Sequence, residues 1–283
     1  MILNYQGKKS EKEIIKNIKE CNLKSVSGDP KSKSKLVKGE NLEVMKYLME
    51  KEELKGKIDL VYIDPPFATK NIFRISEGKA NGISRSYSDN VAYEDSLVGA
   101  EYLEFIRERL ILIRELMSKK GSIYLHIDYK IGHYIKILMD EIFGQENFIN
   151  DIARVKCNPK NFNRKAFGNI KDLILFYSKT EEYIWNEQKT PFSEEDIKRL
   201  FKKIDKNGRK YTTIPVHAPG ETMNGATGQA WRGMMPPKGR HWRSNPKILD
   251  ELDKQGLIEW SKTGVPRKKI FADEKEGKKI QDI

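Results

Sequence analysis

The segment best equipped for chemistry is Asp64-Pro65-Pro66-Phe67, which follows the apolar, β-branched run at residues 58–63. That run predicts a strand buried on both faces of a parallel sheet. Proline has no N–H to donate and its φ is fixed, so the two prolines end the strand and stiffen its exit. We therefore expect a carboxylate, two carbonyl oxygens and an aromatic ring at the carboxyl end of a strand, where open α/β sheets bind ligands. Taken alone, the four residues fit a plain strand-ending turn equally well.

A second polar pair ends the next predicted strand. His126 and Asp128 close the run at residues 122–128, and they lie on the same side as Asp64 if the two strands are parallel. A structural hydrogen-bonding role for His126 is favoured over general-base catalysis. No metal site is expected, because the four histidines show no ligand spacing and neither of the two cysteines lies beside them. The sparse cysteines indicate a reducing cytoplasm, and no apolar run approaches the length of a membrane span.

The elements that would position these side chains alternate between strand and helix. The apolar spacing predicts a strand at 36–41, a helix carrying Leu42, Met45, Leu48 and Met49, the strand at 58–63, helices over about 99–118 and 131–142, and strands at 122–128, 148–155 and 173–177. The alternation predicts an α/β domain over residues 36–184 with a largely parallel sheet. Residues 68–98 show no sustained period, which predicts a long polar loop.

The charge distribution indicates a polyanionic partner. The 283 residues carry a formal net charge of +12, and nucleic acid is the most frequent partner of so basic a protein. Residues 1–35 are rich in lysine and predict a flexible arm. Residues 185–283 interleave glycine, proline and tryptophan with basic residues, which favours a nucleic-acid surface. The candidate DNA-binding residues there are Arg232, Lys238, Arg240, Trp242, Arg243, Arg267 and Lys268.

Several stretches occur in the order found in one enzyme family. They are Gly39-Glu40-Asn41, residues 58–67, 109–114, 121–128, 138–144, 147–148, 167–177 and 239–242, Gly264-Val265-Pro266-Arg267 and residues 281–283. In this order they resemble the DNA amino-methyltransferases that use S-adenosyl-methionine and carry the catalytic motif before the recognition domain. The resemblance covers nearly the whole chain from residue 36.

The resemblance implies an α/β fold, in which a partial Rossmann-like methyltransferase sheet carries an inserted or appended mixed, loop-rich target-recognition domain. It implies that Asp64, Pro65, Pro66 and Phe67 are catalytic, and that Glu40 and Asp64 bind S-adenosyl-methionine. Double-stranded DNA is the implied partner, with a restriction subunit as a further candidate. Such enzymes methylate adenine N6 or cytosine N4 of a flipped base. Aspartate at the first tetrad position favours adenine, because serine is commoner there in the cytosine enzymes.

One motif of the family does not occur in this sequence. In this architecture a Phe-x-Gly-x-Gly turn after the recognition domain binds S-adenosyl-methionine, and no strand followed by such a turn occurs in residues 1–283. We therefore expect a fragment or one half of a split enzyme, completed by a second polypeptide or a homodimer partner, with little activity from this chain alone. The alternatives are a non-catalytic DNA-binding specificity module, a cytosine N4 methyltransferase, and an RNA or protein-glutamine methyltransferase. The basic, tryptophan-rich segment disfavours the last of these.

Overall fold

The computed structural model describes residues 2–29, 32, 34–66, 99–156, 165 and 167–283, together with the backbone of residues 72–75, 83–84 and 90–94. Two compact units are present. Unit 1 comprises Met1–Asn186 and Gln281–Ile283, and unit 2 comprises Glu187–Ile280. The division falls two residues after the boundary expected at residue 184. No helix in the described ranges is both long enough and apolar enough to cross a membrane.

The described part of unit 1 contains helices and two sheets, a mixed main sheet and a smaller antiparallel one. Its helices are α1 (Glu11–Asn17), α2 (Asn41–Glu50), α3 (Gly99–Leu116) and α4 (Tyr129–Phe143). Its strands are β1 (Ile58–Ile63), β2 (Ile72–Ile75), β3 (Ile83–Ser84), β4 (Asn90–Glu94), β5 (Met117–Ile127), β6 (Phe148–Val155) and β7 (Lys171–Ser178).

The main sheet has the strand order β1-β5-β7-β6. β1 runs parallel to β5, whereas β7 runs antiparallel to both β5 and β6. The prediction of a largely parallel sheet is therefore wrong for the described strands. The sequence predicts no helix between β6 and β7, and strands that follow each other without a crossover helix pair antiparallel.

β1 is buried on one face only. Val61 and Ile63 pack against the hydrophobic core of unit 1, whereas Leu60 and Tyr62 are 64% and 58% exposed. β1 is also the terminal strand of the sheet, and its outer edge pairs with no strand among the described residues. The prediction of a strand buried on both faces is wrong here, because no described residue covers the second face.

β5 is largely buried and leads directly into α4. Ile123, Leu125 and Ile127 are completely buried in the core between the sheet and its helices. The side chain of Asp128 then accepts a hydrogen bond of 2.8 Å from the backbone N–H of Lys130, which caps the first turn of α4. The carboxyl end of β5 is therefore held by core packing before it and by a helix cap after it.

The N-terminal segment packs against α3 instead of forming a flexible arm. Ile14 is buried in the main core with 3% exposure. The hydroxyl of Tyr5 donates a hydrogen bond of 2.5 Å to Glu104, and the ammonium group of Lys8 lies 2.8 Å from Glu141. The prediction of a flexible arm over residues 1–35 is thus wrong for the part around α1. The segment is rich in lysine, but a few of its apolar and hydrogen-bonding side chains contact the rest of unit 1.

Two local expectations also differ from the structure. No strand forms at residues 36–41, because Glu40 is already the N-cap of α2. Within residues 68–98, predicted as a loop, the backbone of β2, β3 and β4 forms a three-stranded antiparallel sheet in the order β3-β2-β4. These strands are too short for hydrophobic periodicity to reveal them.

Unit 2 is built from short strands, two helices and long connections. Its helices are α5 (Glu194–Leu200) and α6 (Pro246–Lys254). Its strands are β8 (Lys189–Thr190), β9 (Lys203–Ile204), β10 (Lys210–Pro215), β11 (His217–Pro219), β12 (Arg240–Trp242), β13 (Ile258–Trp260), β14 (Pro266–Phe271) and β15 (Lys278–Lys279). They form a four-stranded sheet in the order β13-β14-β10-β9 and two pairs, β11-β12 and β8-β15.

Two tryptophans form the centre of a small core in unit 2. Trp231 and Trp242 pack edge to face, with ring centroids 6.0 Å apart, among Val216, Leu249 and Ile258. Each buried indole N–H has an acceptor, because Trp231 donates to a carboxylate of α6 and Trp242 to a backbone carbonyl. Unit 2 therefore has a hydrophobic core of its own.

Candidate active site and basic surface

The Asp-Pro-Pro corner follows the last paired residue of β1. Ile63 pairs with Leu125 of β5, so Asp64 and His126 come next at the same edge of the parallel pair. His126 Nδ1 lies 3.0 Å from Asp64 Oδ1. The side chain of Asp64 remains 55% exposed, while that of His126 is 7% exposed. The corner thus presents a carboxylate to solvent with a buried imidazole directly behind it.

Helix α3 holds the corner in place. Tyr102 is almost fully buried, and its hydroxyl donates a hydrogen bond to the backbone carbonyl of Pro66. A side chain fixed in the core therefore anchors a segment that has no ladder hydrogen bonds of its own. Phe67, the fourth residue of the predicted catalytic motif, lies outside the described residues.

A buried polar network extends from His126 into the sheet. His126 Nε2 lies 3.3 Å from Asp172 Oδ2, and Asp172 is 2% exposed. Lys156 Nζ lies 2.5 Å from Asp172 Oδ1, and Arg154 Nη1 lies 3.4 Å from Asp172 Oδ2. Asp172 is not predicted as a site residue from the sequence. It directly precedes an apolar run, and nothing in that local pattern indicates that it faces His126 across the β5–β7 pair.

Glu40, the other predicted cofactor-binding residue, is engaged with α3. Its carboxylate lies 2.7 Å from the guanidinium of Arg109 and accepts a 3.4 Å hydrogen bond from the N–H of Leu42. The Arg109 guanidinium stacks on Phe105, 3.4 Å from the ring centroid. Burial lowers the pKa of Arg109, and Glu40 opposes that shift. A cavity of about 350 Å³ borders Glu40, Phe105 and Arg109.

Unit 2 gathers three of the predicted DNA-binding arginines around one histidine. We call Arg240, Arg243 and Arg267 the arginine cluster. Arg240 Nη1 lies 3.2 Å from His217 Nδ1. Burial lowers the pKa of His217, and the positive charges of all three arginines lower it further. None of the three guanidinium groups has a carboxylate within ion-pair distance in the described part of the chain.

Within the arginine cluster, two side chains are positioned by oxygen acceptors. Arg243 donates a 3.1 Å hydrogen bond to the carbonyl of Pro215, and Arg267 donates to the hydroxyl and the carbonyl of Thr213 at 3.0 and 2.8 Å. Both contacts orient the guanidinium groups without neutralising their charge. The cluster is therefore a concentration of positive charge held in a defined arrangement.

Two predicted DNA contacts have other roles in this structure. Arg232 lies 3.0 Å from Asp250 and 2.6 Å from Asp253, so its charge is already compensated by α6. Trp242 is 3% exposed in the core of unit 2, and a buried indole has no free face on which a base could stack. The predicted direct DNA contact by Trp242 is therefore wrong for this structure, because residue type and spacing carry no information about how deeply the ring is buried.

The two predicted lysines differ in exposure. Lys238 lies in the exposed turn before β12. Lys268 is half-buried in β14, where it pairs with Ile214 of β10 and Ile258 of β13. The described residues contain no group of three histidine, cysteine, aspartate or glutamate side chains able to hold a metal ion.

Comparison with known proteins identifies the family. The family described as DNA methylase, comprising the N6 and N4 methyltransferases, matches residues 58–280. This chain belongs to the N6/N4 DNA methylase family. The matched range contains the Asp64 corner, His126, Asp172 and the arginine cluster.

The curated relatives that this chain matches are longer than the chain itself. The Type II methyltransferase M.EcaI of Enterobacter cloacae is 41% identical over 276 residues, which are 95% of this chain and 57% of that protein. The Type III restriction-modification enzyme EcoP15I Mod subunit of Escherichia coli is 30% identical over 191 residues, or 62% of this chain and 29% of that subunit. A crystal structure of an M1.HpyAVI–SAM complex is 17% identical with a TM-score of 0.33, covering 55% of this chain and 59% of that one. The chain spans little more than half the length of the first of these relatives.

Proposed function

We propose that this protein methylates the exocyclic amine of a DNA base, with adenine N6 as the target and S-adenosyl-methionine as the methyl donor. The observation that carries the proposal is the exposed carboxylate of Asp64, placed by β1 at the edge of the parallel β1–β5 pair. The corner lies within the range matched by the N6/N4 DNA methylase family. The choice of donor rests on the resemblance to methyltransferases that use S-adenosyl-methionine and on the family match.

The chemistry requires acceptors for the protons of the amine. The lone pair of an exocyclic amino group is delocalised into the base, so the nitrogen is a poor nucleophile. When the Asp64 carboxylate and the Pro65 carbonyl accept its two N–H groups, the nitrogen moves towards sp³ geometry and the lone pair localises. Positioning and electrostatics then lower the barrier. S-adenosyl-methionine supplies the electrophilic methyl group.

The target base has to leave the duplex to reach this carboxylate. Asp64 lies at the end of a strand, directly in front of the buried His126. A paired base cannot present its amine to such a corner, so base flipping is part of the proposal. Phe67, which lies outside the described residues, is proposed to stack on the flipped base.

The described residues provide acceptors for the target amine but only part of a site for the methyl donor. The Glu40 carboxylate is bound by Arg109, and the sequence contains no strand followed by a Phe-x-Gly-x-Gly turn. The outer face of β1 exposes Leu60 and Tyr62. We infer that a segment carrying such a glycine turn, in a second chain or in a longer form of this one, packs on this face and completes the donor site.

The arginine cluster is the proposed contact with the DNA backbone. Phosphate groups bind guanidinium groups through charge-assisted, bidentate hydrogen bonds. Arg240, Arg243 and Arg267 have no competing carboxylate among the described residues, and Lys238 lies in the exposed turn before β12. Lys268 contacts DNA only after its half-buried strand rearranges. Arg232 contacts DNA only after its ion pairs with α6 break.

Target base and partners follow from the motif and the relatives. Aspartate at the first position of Asp64-Pro65-Pro66-Phe67 supports adenine N6 over cytosine N4. Relatives at 30% identity and below include Mod subunits of Type III restriction-modification enzymes, which supports a restriction subunit as a partner. A cytoplasmic location is consistent with these proposals. A second candidate function is a DNA-binding specificity module without catalysis, which the arginine cluster of unit 2 favours.

Replacing Asp64 tests the catalytic proposal. We expect Asp64→Ala to lower methyl transfer by about 100-fold or more, because it removes an acceptor for the amine. Tritiated methyl transfer to plasmid DNA is measured with the 283-residue chain alone and after addition of a polypeptide carrying the Phe-x-Gly-x-Gly turn. Mass spectrometry of the digested DNA distinguishes N6-methyladenine from N4-methylcytosine. DNA affinity should change little.

The matched control is Asp59→Ala. Asp59 lies in β1, the strand that leads into the corner, and it is exposed and accepts a 2.6 Å hydrogen bond from Ser118. Its loss should leave methyl transfer near the unmodified rate. Equal activity of Asp64→Ala and Asp59→Ala would refute the catalytic role of the corner. DNA binding without methyl transfer under every condition would favour the specificity module.

A further inference from the structure

The imidazole of His126 stands between two carboxylates of very different exposure. Nδ1 lies 3.0 Å from Oδ1 of the half-exposed Asp64, and Nε2 lies 3.3 Å from Oδ2 of the buried Asp172. The Nδ1 contact is short but imperfectly aligned for a hydrogen bond. Contacts in catalytic sites are often poorly aligned until the substrate binds. The ring is almost fully buried and lies within contact distance of a carboxylate at each nitrogen, which limits its rotation.

Asp172 does not require His126 to compensate its charge. A buried carboxylate destabilises a protein unless it is paired, and Lys156 and Arg154 both lie within ion-pair distance of Asp172. Lys156 also lies 3.8 Å from Asp128, the N-cap of α4. The network is therefore rich enough in cations to hold Asp172 as a fixed acceptor behind the ring.

We propose that His126 is a positioning residue for methyl transfer and that Asp172 orients it. The inference rests on the proposed function of Asp64. Nδ1–H donates to Asp64 Oδ1 and fixes the plane of the carboxylate, so that Oδ2 is directed at the target amine. Both carboxylate oxygens are acceptors, so Nε2–H donates to Asp172 while Nδ1–H donates to Asp64, and the ring that makes both contacts carries a proton on each nitrogen. His126 itself does not touch the base.

The surroundings of His126 support this assignment. Ile127 and Leu125 beside it in β5 are completely buried, so the backbone that carries the ring is rigid. Reacting groups need their supporting residues, because a misplacement of about 1 Å costs about 100-fold in rate. Residues that orient a functional group typically contribute about 10- to 100-fold to activity. We expect the removal of His126 to fall in that range.

A spectroscopic test needs only the chain itself. The sequence has four histidines, so the imidazole ¹⁵N signals can be assigned one by one. Asp64→Asn should shift the Nδ1 signal of His126, and Asp172→Asn should shift its Nε2 signal. Asp59→Asn, in the strand that leads into the corner, should shift neither. Identical His126 signals in Asp64→Asn and Asp59→Asn would overturn the proposed contact.

A kinetic test replaces His126 by two amide side chains of different length. The side-chain N–H₂ of asparagine falls near the position of Nδ1, whereas that of glutamine falls near Nε2. In the methyl-transfer assay, His126→Gln should lower kcat by about 10- to 100-fold with little change in KM for DNA. His126→Asn should recover part of the rate. The control His133→Ala changes an exposed residue of α4 and should leave kcat unchanged.

The outcomes separate this inference from the proposed function. A purely structural role for His126 predicts that the rates of the two amide variants follow their thermal stability, which would overturn the inference. Full kcat in His126→Gln, with activity abolished in Asp64→Ala, would also overturn it while leaving the function of Asp64 intact. Activity that survives Asp64→Ala would refute the proposed function itself.

Discussion

The arginines of unit 2 differ in whether a carboxylate compensates the charge of the guanidinium group. Arg209 binds both Asp273 and Glu274, and Arg232 is held by two aspartates of α6. Such a guanidinium must break an ion pair before it can bind phosphate. Arg243 and Arg267 instead contact carbonyl and hydroxyl oxygens, which leave the positive charge uncompensated. At the scale of the residue, the partner of a side chain decides whether it is available to DNA.

His217 makes the stability of unit 2 sensitive to pH. Burial and the arginine cluster lower its pKa in the folded state, so below about pH 6.5 the unfolded chain binds more protons than the folded one. We therefore expect the contribution of His217 to be present above that pH and to be lost as the pH falls. Urea unfolding at pH 7.5 and 5.5 measures the difference.

The variant His217→Gln provides the comparison for this prediction. It cannot be protonated, so its loss of stability between pH 7.5 and 5.5 should be smaller than that of the unmodified protein. The other three histidines contribute equally to both proteins. An identical pH dependence in the two proteins would show that His217 does not have a lowered pKa.

At the scale of the element, α3 both fills the core and holds the corner. Tyr102→Phe removes the hydroxyl that donates to the Pro66 carbonyl while leaving the buried ring. We expect a loss of about 1 kcal/mol in the free energy of unfolding, the usual contribution of one hydrogen bond. Methyl transfer should fall as well, because the corner is less firmly placed. Tyr134→Phe, on the exposed side of α4, is the control and should change neither.

Helix α1 provides a second prediction at this scale. Ile14 is 3% exposed and its neighbour Ile15 is 42% exposed. Ile14→Ala should lower the free energy of unfolding by about 2–4 kcal/mol, because it leaves a cavity against α3. Ile15→Ala should cost much less. Equal and small effects in chemical denaturation would mean that the N-terminal segment does not pack.

At the scale of the whole molecule, the two units divide the proposed work. Unit 1 holds the acceptor of the amine protons, and unit 2 holds the arginine cluster. The net charge of +12 attracts DNA in general, but charge alone does not say which residues touch it. The dependence of DNA affinity on salt distinguishes general attraction by net charge from contact by particular residues, because it reports the number of phosphates that are neutralised.

Arg240→Gln and Arg267→Gln should each weaken DNA binding and reduce the slope of log affinity against log salt by about 1. Arg209→Gln removes the same charge from unit 2, but its side chain is held by Asp273 and Glu274, so the slope should stay the same. Fluorescence anisotropy over a range of salt concentrations measures all three. Equal slopes in the cluster variants and in Arg209→Gln would show that the net charge alone governs binding.

Local sequence was sufficient to place the proposed site on its elements. β1, β5, α3 and α4 follow from apolar periodicity, and two prolines force the strand to end where Asp64 stands. These features depend on residues that are neighbours in the chain. The ordered motifs also led to the correct family, since they extend over most of the sequence.

Other features were decided only by the tertiary structure. Whether Trp242 is buried, whether Arg232 is paired and whether Asp172 faces His126 depend on residues far away in the sequence. The direction of β7 and the exposed face of β1 likewise depend on which strands become neighbours. Residue type and spacing identified the carboxylate of the corner. Packing across the sheet determined what stands behind it, because contacts between distant segments leave no local pattern.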